Sequence, residues 1–293
     1  MKIPYFPGCT LKTTARNLEL PALETAKMLG IELVELDRWN CCGVVAYLAS
    51  DDLMKHLAPV RNFLRVQEMN KAGIVQNEYR LATICSMCYN TISLSNLRMK
   101  KNPDDLQTMN DFMHEETEKY DGKVEVVHLL QLIDELGWEA VQKQVKKPLT
   151  GLKIAPYYGC MLLRPKEVGI DDPEHPQILE NLVKSLGAEP VHWNSSMRCC
   201  GSYHTVKNVE IVVNLAKGIL DDAKANKADA VITSCPLCAF NLDSRQQEIK
   251  ANYPDFETIP VLYFSQLMGA AFDIPAEKLG WYLNYISPEV LFS

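Results

Sequence analysis

Apolar residues recur along this chain in two rhythms. Short runs with strand character are each followed by a longer stretch with apolar positions at helical spacing, and the series occurs twice. In the first half the pattern predicts a strand at Ile3–Phe6, a helix over Ala15–Leu29 and a strand at Ile31–Leu36. A helix follows from an N-cap at Asp51-Asp52 to about Met69, then a strand at Leu81–Ile84 and a helix from Tyr89 onward. Val124 to Gly137 adds a last strand and helix. The second half predicts strands at Lys153–Tyr158, Glu189–His192 and Ala230–Thr233. Its helices fall at Gln177–Leu186, Val209–Ala225 and Phe240–Ile249, and Ile259 to Met268 closes the series.

Strands alternating with helices of this length predict an α/β chain with mostly parallel sheets. The linker is Lys146-Lys147-Pro148-Leu149-Thr150-Gly151, which puts one domain at 1–147 and the other at 148–293. Two stretches stand apart. Asn102 to Asp121 is rich in charge and lacks a clear core face, which predicts a solvated helix or a lid. The segment after Pro275, with Trp281, Tyr282 and Tyr285, packs on the body or against a partner, and the pattern does not choose between them.

Composition bounds the function. With 47% hydrophobic residues over 293 positions, a sizeable core forms without disulfide staples. A net charge of −7 argues against nucleic acid as the main partner but leaves room for a local basic pocket. No apolar run approaches the ~18–20 residues of a membrane span. The best, Val261 to Phe272, is broken by Ser265 and Gln266, and the N-terminal residues lack a signal-peptide pattern. The expectation is a soluble cytoplasmic protein, with room for a membrane-attached partner.

The ten cysteines change the picture. Cys9, Cys41-Cys42-Gly43 and Cys85-Ser86-Met87-Cys88 form one set, and Cys160, Cys199-Cys200-Gly201 and Cys235-Pro236-Leu237-Cys238 the other. No cysteine is left over. Flanking residues repeat as well, Phe6-Pro7-Gly8-Cys9 matching Tyr157-Tyr158-Gly159-Cys160, so the chain is an internal duplication of about half its length. Each station follows a predicted strand or opens a predicted helix. That is the carboxyl edge of an open α/β sheet, where ligands gather and where helix N-termini stabilise thiolates.

Several chemistries compete for such thiols. Structural zinc takes four ligands, commonly two CxxC pairs ~15–20 residues apart; here each half has one CxxC, longer gaps and a fifth cysteine. A thioredoxin-like CxxC at Cys235–Cys238 leaves the other stations unexplained. Inert buried cysteines or disulfides give no reason for the repetition. Iron–sulfur clusters held by thiolates account for all ten positions.

The arrangement closely resembles the CCG-domain family, and more narrowly the B-type subunits of heterodisulfide reductase and their bacterial relatives. The motifs are CysCysGly twice, each preceded by GlyCys and followed by CxxC, together with Tyr157-Tyr158-Gly159-Cys160-Met161-Leu162-Leu163-Arg164-Pro165. The resemblance implies two pseudo-repeated domains with two non-cubane [4Fe–4S] clusters lying near one another between them. Cys9, Cys41, Cys42, Cys85 and Cys88 would hold one, and Cys160, Cys199, Cys200, Cys235 and Cys238 the other. It implies an oxidoreductase of methanogenesis type, in which the mixed disulfide of coenzyme M and coenzyme B is cleaved between the clusters. Electrons would come from a small ferredoxin-like iron–sulfur partner, the C-type component of the complex, fed by a flavin-bearing A-type component. The alternative is an electron-transfer relay in an analogous complex, without disulfide chemistry.

One residue departs from the methanogen pattern. Met161 stands where those enzymes carry His, so proton supply differs here. His204 and Lys207, close after Cys200, are the candidate catalytic residues, His204 as replacement proton donor; its plainer role is an ordinary His at a helix start. Lys12, Arg38, Arg164, Arg198 and Lys207 lie beside the cysteine stations as candidate anchors for an anionic substrate, at most two of them touching it.

Overall fold

The computed structural model describes residues 1–76 and 78–292. Two four-stranded parallel sheets form its frame. The first contains β1 (Lys2–Phe6), β2 (Glu32–Glu35), β3 (Arg80–Thr83) and β4 (Glu125–His128), in the order β2-β1-β3-β4. The second contains β5 (Lys153–Pro156), β6 (Glu189–Pro190), β7 (Ala230–Thr233) and β8 (Val261–Tyr263), in the order β6-β5-β7-β8. The duplication read from the cysteines is therefore a duplication of topology. The central strands are covered on both faces, and β7 reads as a continuous buried run, Ala-Val-Ile-Thr.

The helix Val209–Ala225 and strand β7 lie where the apolar pattern puts them. Elsewhere the structure adds detail. A short helix, Val44–Ala49, follows Gly43, whose left-handed backbone starts it. The predicted helix from Asp52 begins as a 3-10 turn, Leu53–His56, with the Asp52 carboxylate accepting from Met54 N at 2.8 Å, and continues as Leu57–Lys71. The helix predicted at Phe240–Ile249 is two pieces, Pro236–Asp243 and Gln246–Asn252.

The stretch Asn102 to Asp121 has a core face after all. It forms the helix Pro103–Phe112, and Met109 and Met113 are buried with Tyr120 from the loop beyond. The Tyr120 hydroxyl donates to Asn96 Oδ1 at 2.6 Å, and its ring lies 4.9 Å from Phe63. Two methionines four apart make one thin apolar stripe, and the third anchor comes from outside the helix, so the segment's periodicity alone is weak.

The halves interlock. The first helix of the first half, Arg16–Met28, packs on the helix after β8 in the second, Phe264–Ala271, where Ser265 Oγ donates to Leu18 O at 2.8 Å. The equivalent helix of the second half, Ile178–Ser185, packs on Trp138–Gln142 of the first. At the carboxyl edges, Ser86 N donates to Ser234 O at 3.2 Å and the two hydroxyls meet at 2.5 Å. Asn90 Nδ2 donates across to the carbonyls of Met161 and Arg164 at 2.8 and 2.7 Å.

His128 ends β4 within this seam. Its Nε2 lies 2.8 Å from Ile84 O and its Nδ1 accepts from Leu130 N at 3.2 Å, so the neutral ring with its proton on Nε2 satisfies both. The ring also touches Tyr89 of its own half and Phe264 of the other. Burial pulls its pKa from 6.5 down to about 3, against the opposing pull of the Ile84 carbonyl. The unfolded chain therefore takes up this proton first as pH falls. The stability is fully present above pH 6.5 and is lost progressively towards pH 3, at about 1.4 kcal/mol per pH unit in mid-range. Urea unfolding between pH 5.5 and 4.5 should show this slope on top of other contributions, including that of His56, also depressed by burial to about 4. His128→Gln should lower the slope by about that amount, and an unchanged slope would show that His128 does not titrate this way.

Candidate functional site

The strand order puts the cysteines where a doubly wound sheet collects ligands. β1 has β2 on one side and β3 on the other, so the loops leaving β1 and β3 diverge at a topological switch point. Cys9 lies in the turn after β1, and Cys85 is the N-cap of the helix Ser86–Lys101 after β3. β5 and β7 place Cys160 and Cys235 in the same way, Cys235 capping the helix Pro236–Asp243. The adjacent pairs Cys41-Cys42 and Cys199-Cys200 come in from the loops beyond β2 and β6.

Each set converges. Cys9 and Cys41 sulfurs are 3.8 Å apart, and Cys200 and Cys238 sulfurs 3.4 Å, far beyond the ~2.05 Å of a disulfide. All ten cysteines are free. The backbone is shaped to the thiols. Gly8 and Gly159 have φ of +76° and +64°, and a Cβ on them would lie 3.1 Å from Cys88 Sγ and 3.3 Å from Cys238 Sγ. A side chain at either position would be strained and would press on a sulfur.

The donor set, five thiols in each half, suits iron–sulfur ligation. No three His, Cys, Asp or Glu side chains among the described residues are gathered for a single ion. The thiols of a half instead meet in pairs, Cys9 with Cys41 and Cys200 with Cys238, as suits a group ligated at several corners. In each set, burial and mutual contact split the protons. Hydrogen bonds from Cys41 and Cys88 hold Cys42 at about 4, and those from Cys160 and Cys200 hold Cys199 at about 2. The donating Cys41, Cys88 and Cys160 are pushed up in turn by that donation and by burial. A bound cation removes this frustration by favouring the thiolate at every position.

The two sets differ in access. A cavity of about 810 Å³ opens onto Cys9, Cys41, Cys42, Cys85 and Cys88. Its far wall comes from the second half, including Tyr203, Leu237, Phe240 and Asp243, and its rim from Tyr282 to Tyr285. Beside the second set lies a space of only about 20 Å³, lined by Cys160, Met161, Cys200, Cys235 and Cys238 with Ser86 and Met87 of the first half. Tyr203 stands between the sets. Burial, then the negative fields of Cys42, Cys85 and Cys235, push its phenol up to about 12. Tyr263, fully buried, is raised by burial and by Cys235, Cys85 and Asp243.

No Lys, Arg or His among the described residues lines the large cavity. Lys12 is held by Glu35 at 2.6 Å and Glu19 at 2.8 Å, Arg38 by Glu68 at 2.9 Å and Arg164 by Glu174 at 3.3 Å. Arg198 is exposed. Lys207 is exposed, and so is His204, whose ring meets Asn208 at 3.4 Å and lends a positive field to Cys199. Met161 lines the small space beside Cys160. The cysteine pattern gives no sign of Tyr203, Tyr263 or Asp243. The one cue for Tyr203 is its place three residues after Cys200.

Comparison with known proteins agrees with this geometry. The family model of the CCG cysteine-rich domain matches residues 3–93 and again 154–243. A protein of Wolinella succinogenes named 8-methylmenaquinol:fumarate reductase membrane anchor subunit is 34% identical over 284 residues, covering 96% of each chain. A protein of Methanosarcina mazei, named as the B component of ferredoxin:CoB-CoM heterodisulfide reductase, is 28% identical over 284 residues, covering 95% of this chain and 92% of the relative. Among solved structures, a hypothetical protein from Helicobacter pylori shares the fold with a TM-score of 0.74 at 15% identity, over 97% of this chain. The chain spans about half the length of that structure, 51%. No helix among the described residues is long and apolar enough to cross a membrane. With its two matched cysteine-rich domains and its full-length relatives, the chain belongs to the CCG cysteine-rich domain family.

Proposed function

We propose that this chain is the iron–sulfur redox subunit of a multi-subunit reductase, exchanging electrons with a small organic carrier at its first cysteine set. Cys9, Cys41, Cys42, Cys85 and Cys88 hold one [4Fe–4S] cluster, and Cys160, Cys199, Cys200, Cys235 and Cys238 a second. Non-cubane clusters, as the family resemblance implies, suit the adjacent cysteine pairs. Such clusters supply one-electron storage at each site. The protein's part is to bind the carrier against the first set, keep water from it and hold the second set beyond the carrier's reach. Its partners are the other members of the complex, a small ferredoxin-like iron–sulfur protein and a flavin-bearing protein.

The observation that carries this reading is the cavity's lining. It is mostly aromatic and aliphatic, with Thr10, Thr13, Thr14, Asn17, Asn284 and Asp243 as its polar members; it touches one cysteine set and brings no cationic side chain to bear. A disulfide with anionic ends asks for cations, because burying an unpaired charge is costly. An uncharged, flat, two-electron carrier of the quinol class fits the lining, and a relative 34% identical is named for a methylmenaquinol.

Disulfide reduction, of the kind that the heterodisulfide reductase relatives carry in their names, is the second reading. The observation favouring it is the position of Tyr203, between thiols of both sets. Under it, His204 beside Cys199 is the proton donor and Lys207 its nearby cation.

Two measurements follow. Anaerobically purified complex mixed with the diol of 2,3-dimethyl-1,4-naphthoquinone should show bleaching of the cluster absorbance. The mixed disulfide of coenzyme M and coenzyme B should leave reduced clusters unchanged. Oxidation by the disulfide with a new thiolate-bound EPR signal, and no response to the diol, would reverse the choice. Separately, Cys200→Ser should alter the EPR signal of one cluster and lower iron from about eight to about four atoms per chain. Loss of both signals would show that the halves do not assemble independently.

A further inference from the structure

Asp243 ends the helix Pro236–Asp243 and is 4% exposed. It is the one carboxylate among the described residues lining the large cavity. Its oxygens accept two backbone N–H groups, from Tyr285 at 2.7 Å and Ile286 at 3.0 Å. These belong to a strap that crosses the rim, and Tyr282, Leu283, Asn284 and Tyr285 of the strap line the cavity. Asn284 fastens the strap to three elements. Its Nδ2 donates to Val261 O at 2.9 Å, and its Oδ1 accepts from Gln266 Nε2 at 2.9 Å and from Asn17 Nδ2 at 3.2 Å.

A carboxylate has about four acceptor positions, and the strap uses two. The others belong to a buried group at the wall of a mostly apolar cavity, where an unused acceptor is costly. We infer that Asp243 is the polar anchor of the carrier: ionised, it accepts a hydrogen bond from a hydroxyl of the diol form, and protonated, it donates one to a carbonyl of the dione form. This rests on the quinol-class reading above. It adds the residue that recognises the carrier's oxygen and makes recognition depend on the carrier's redox state.

Burial raises the Asp243 carboxyl to about 7, with the two strap N–H groups pulling it back down, so both forms are populated near neutrality. Cys238 shares its helix, and Tyr263 comes from β8 alongside. Tyr282 and Tyr285 come from the strap, and the neighbouring helix Val209–Ala225 buries only apolar residues. Arg245, two residues on, is turned to Thr205 at 2.8 Å and Glu248 at 2.5 Å. Among the described residues no cationic side chain is paired with the carboxylate.

The test is equilibrium dialysis of 2,3-dimethyl-1,4-naphthoquinone against oxidised complex, and of its diol against dithionite-reduced complex, from pH 6 to 8. In the wild type the dione should bind about fivefold more weakly at pH 8 than at pH 6, and the diol about fivefold more tightly, as expected for a one-unit change in the anchor's pKa on binding. Asp243→Asn should bind both forms with no pH dependence. Asn284→Ala, which loosens the strap without removing the titrating group, should weaken binding at every pH and keep the slopes. Flat profiles in the wild type, or slopes that survive Asp243→Asn, overturn the anchor. Where Asp243→Asn does not fold, the wild-type profiles and Asn284→Ala decide. If neither form binds the wild type at any pH, the carrier reading itself fails, and the anchor with it.

Discussion

Ser86 and Ser234 meet where the carboxyl edges of the two sheets face each other, one amide donating to the other's carbonyl and the hydroxyls in contact. Both serines sit beside a cysteine, Ser86 after Cys85 and Ser234 before Cys235. This contact therefore sets the distance between the two cysteine sets. The interlocked helices behind it keep the edges from sliding: Ser265 is bonded to Leu18, and Asn90 clamps the loop after Cys160. A buried polar seam of this kind tolerates little displacement, since each lost bond leaves an unsatisfied group. The site is thus built from rigid strand ends and helix starts rather than from long loops.

Electrostatics then explains why the surroundings are as apolar and aromatic as they are. A chain with a net charge of −7 gathers ten thiols at one seam. The cations near the cysteine stations are mostly spent on carboxylates, as with Lys12, Arg38 and Arg164. What faces the sulfurs is the phenols of Tyr203 and Tyr263, whose ionisation is suppressed by burial and by the thiols themselves. They remain neutral dipoles. They fill space and exclude water without adding charge to a region that must already hold several thiolates.

Much of this was legible in the chain. Periodicity located Val209–Ala225 and β7, and the matching cysteine stations revealed the duplication before any coordinate. Less was legible where structure depends on contacts distant in sequence. Val44–Ala49 is a six-residue helix whose start is fixed by the Gly43 backbone, too short for a periodic signal. Met109 and Met113 acquire a core face only once Tyr120 closes over Phe63. Asp243 looks like an ordinary helix-end carboxylate until the strap, some forty residues later, returns to bond it. The candidate cations failed as cavity-lining residues for a related reason: closeness in sequence to a cysteine says nothing about which carboxylate the side chain finds first.

The asymmetry of the two sites follows from what each half does after its last strand. In the first half, the helices Leu129–Leu136 and Trp138–Gln142 lead into the segment that must cross to β5, and Lys146 and Lys147 are tied to Ala271 on the way. That segment cannot also cover a site. In the second half the same stage, after Phe264–Ala271, leads into no strand among the described residues. It turns through Ala276–Leu279 and folds back over the first cysteine set, where Asp243 and Asn284 hold it. Two similar scaffolds thus yield unlike sites: one set closed in beside Met161, the other facing a roofed cavity of about 810 Å³. A duplicated fold supplies two cysteine sets, and the unequal use of the two trailing segments leaves one of them facing a cavity.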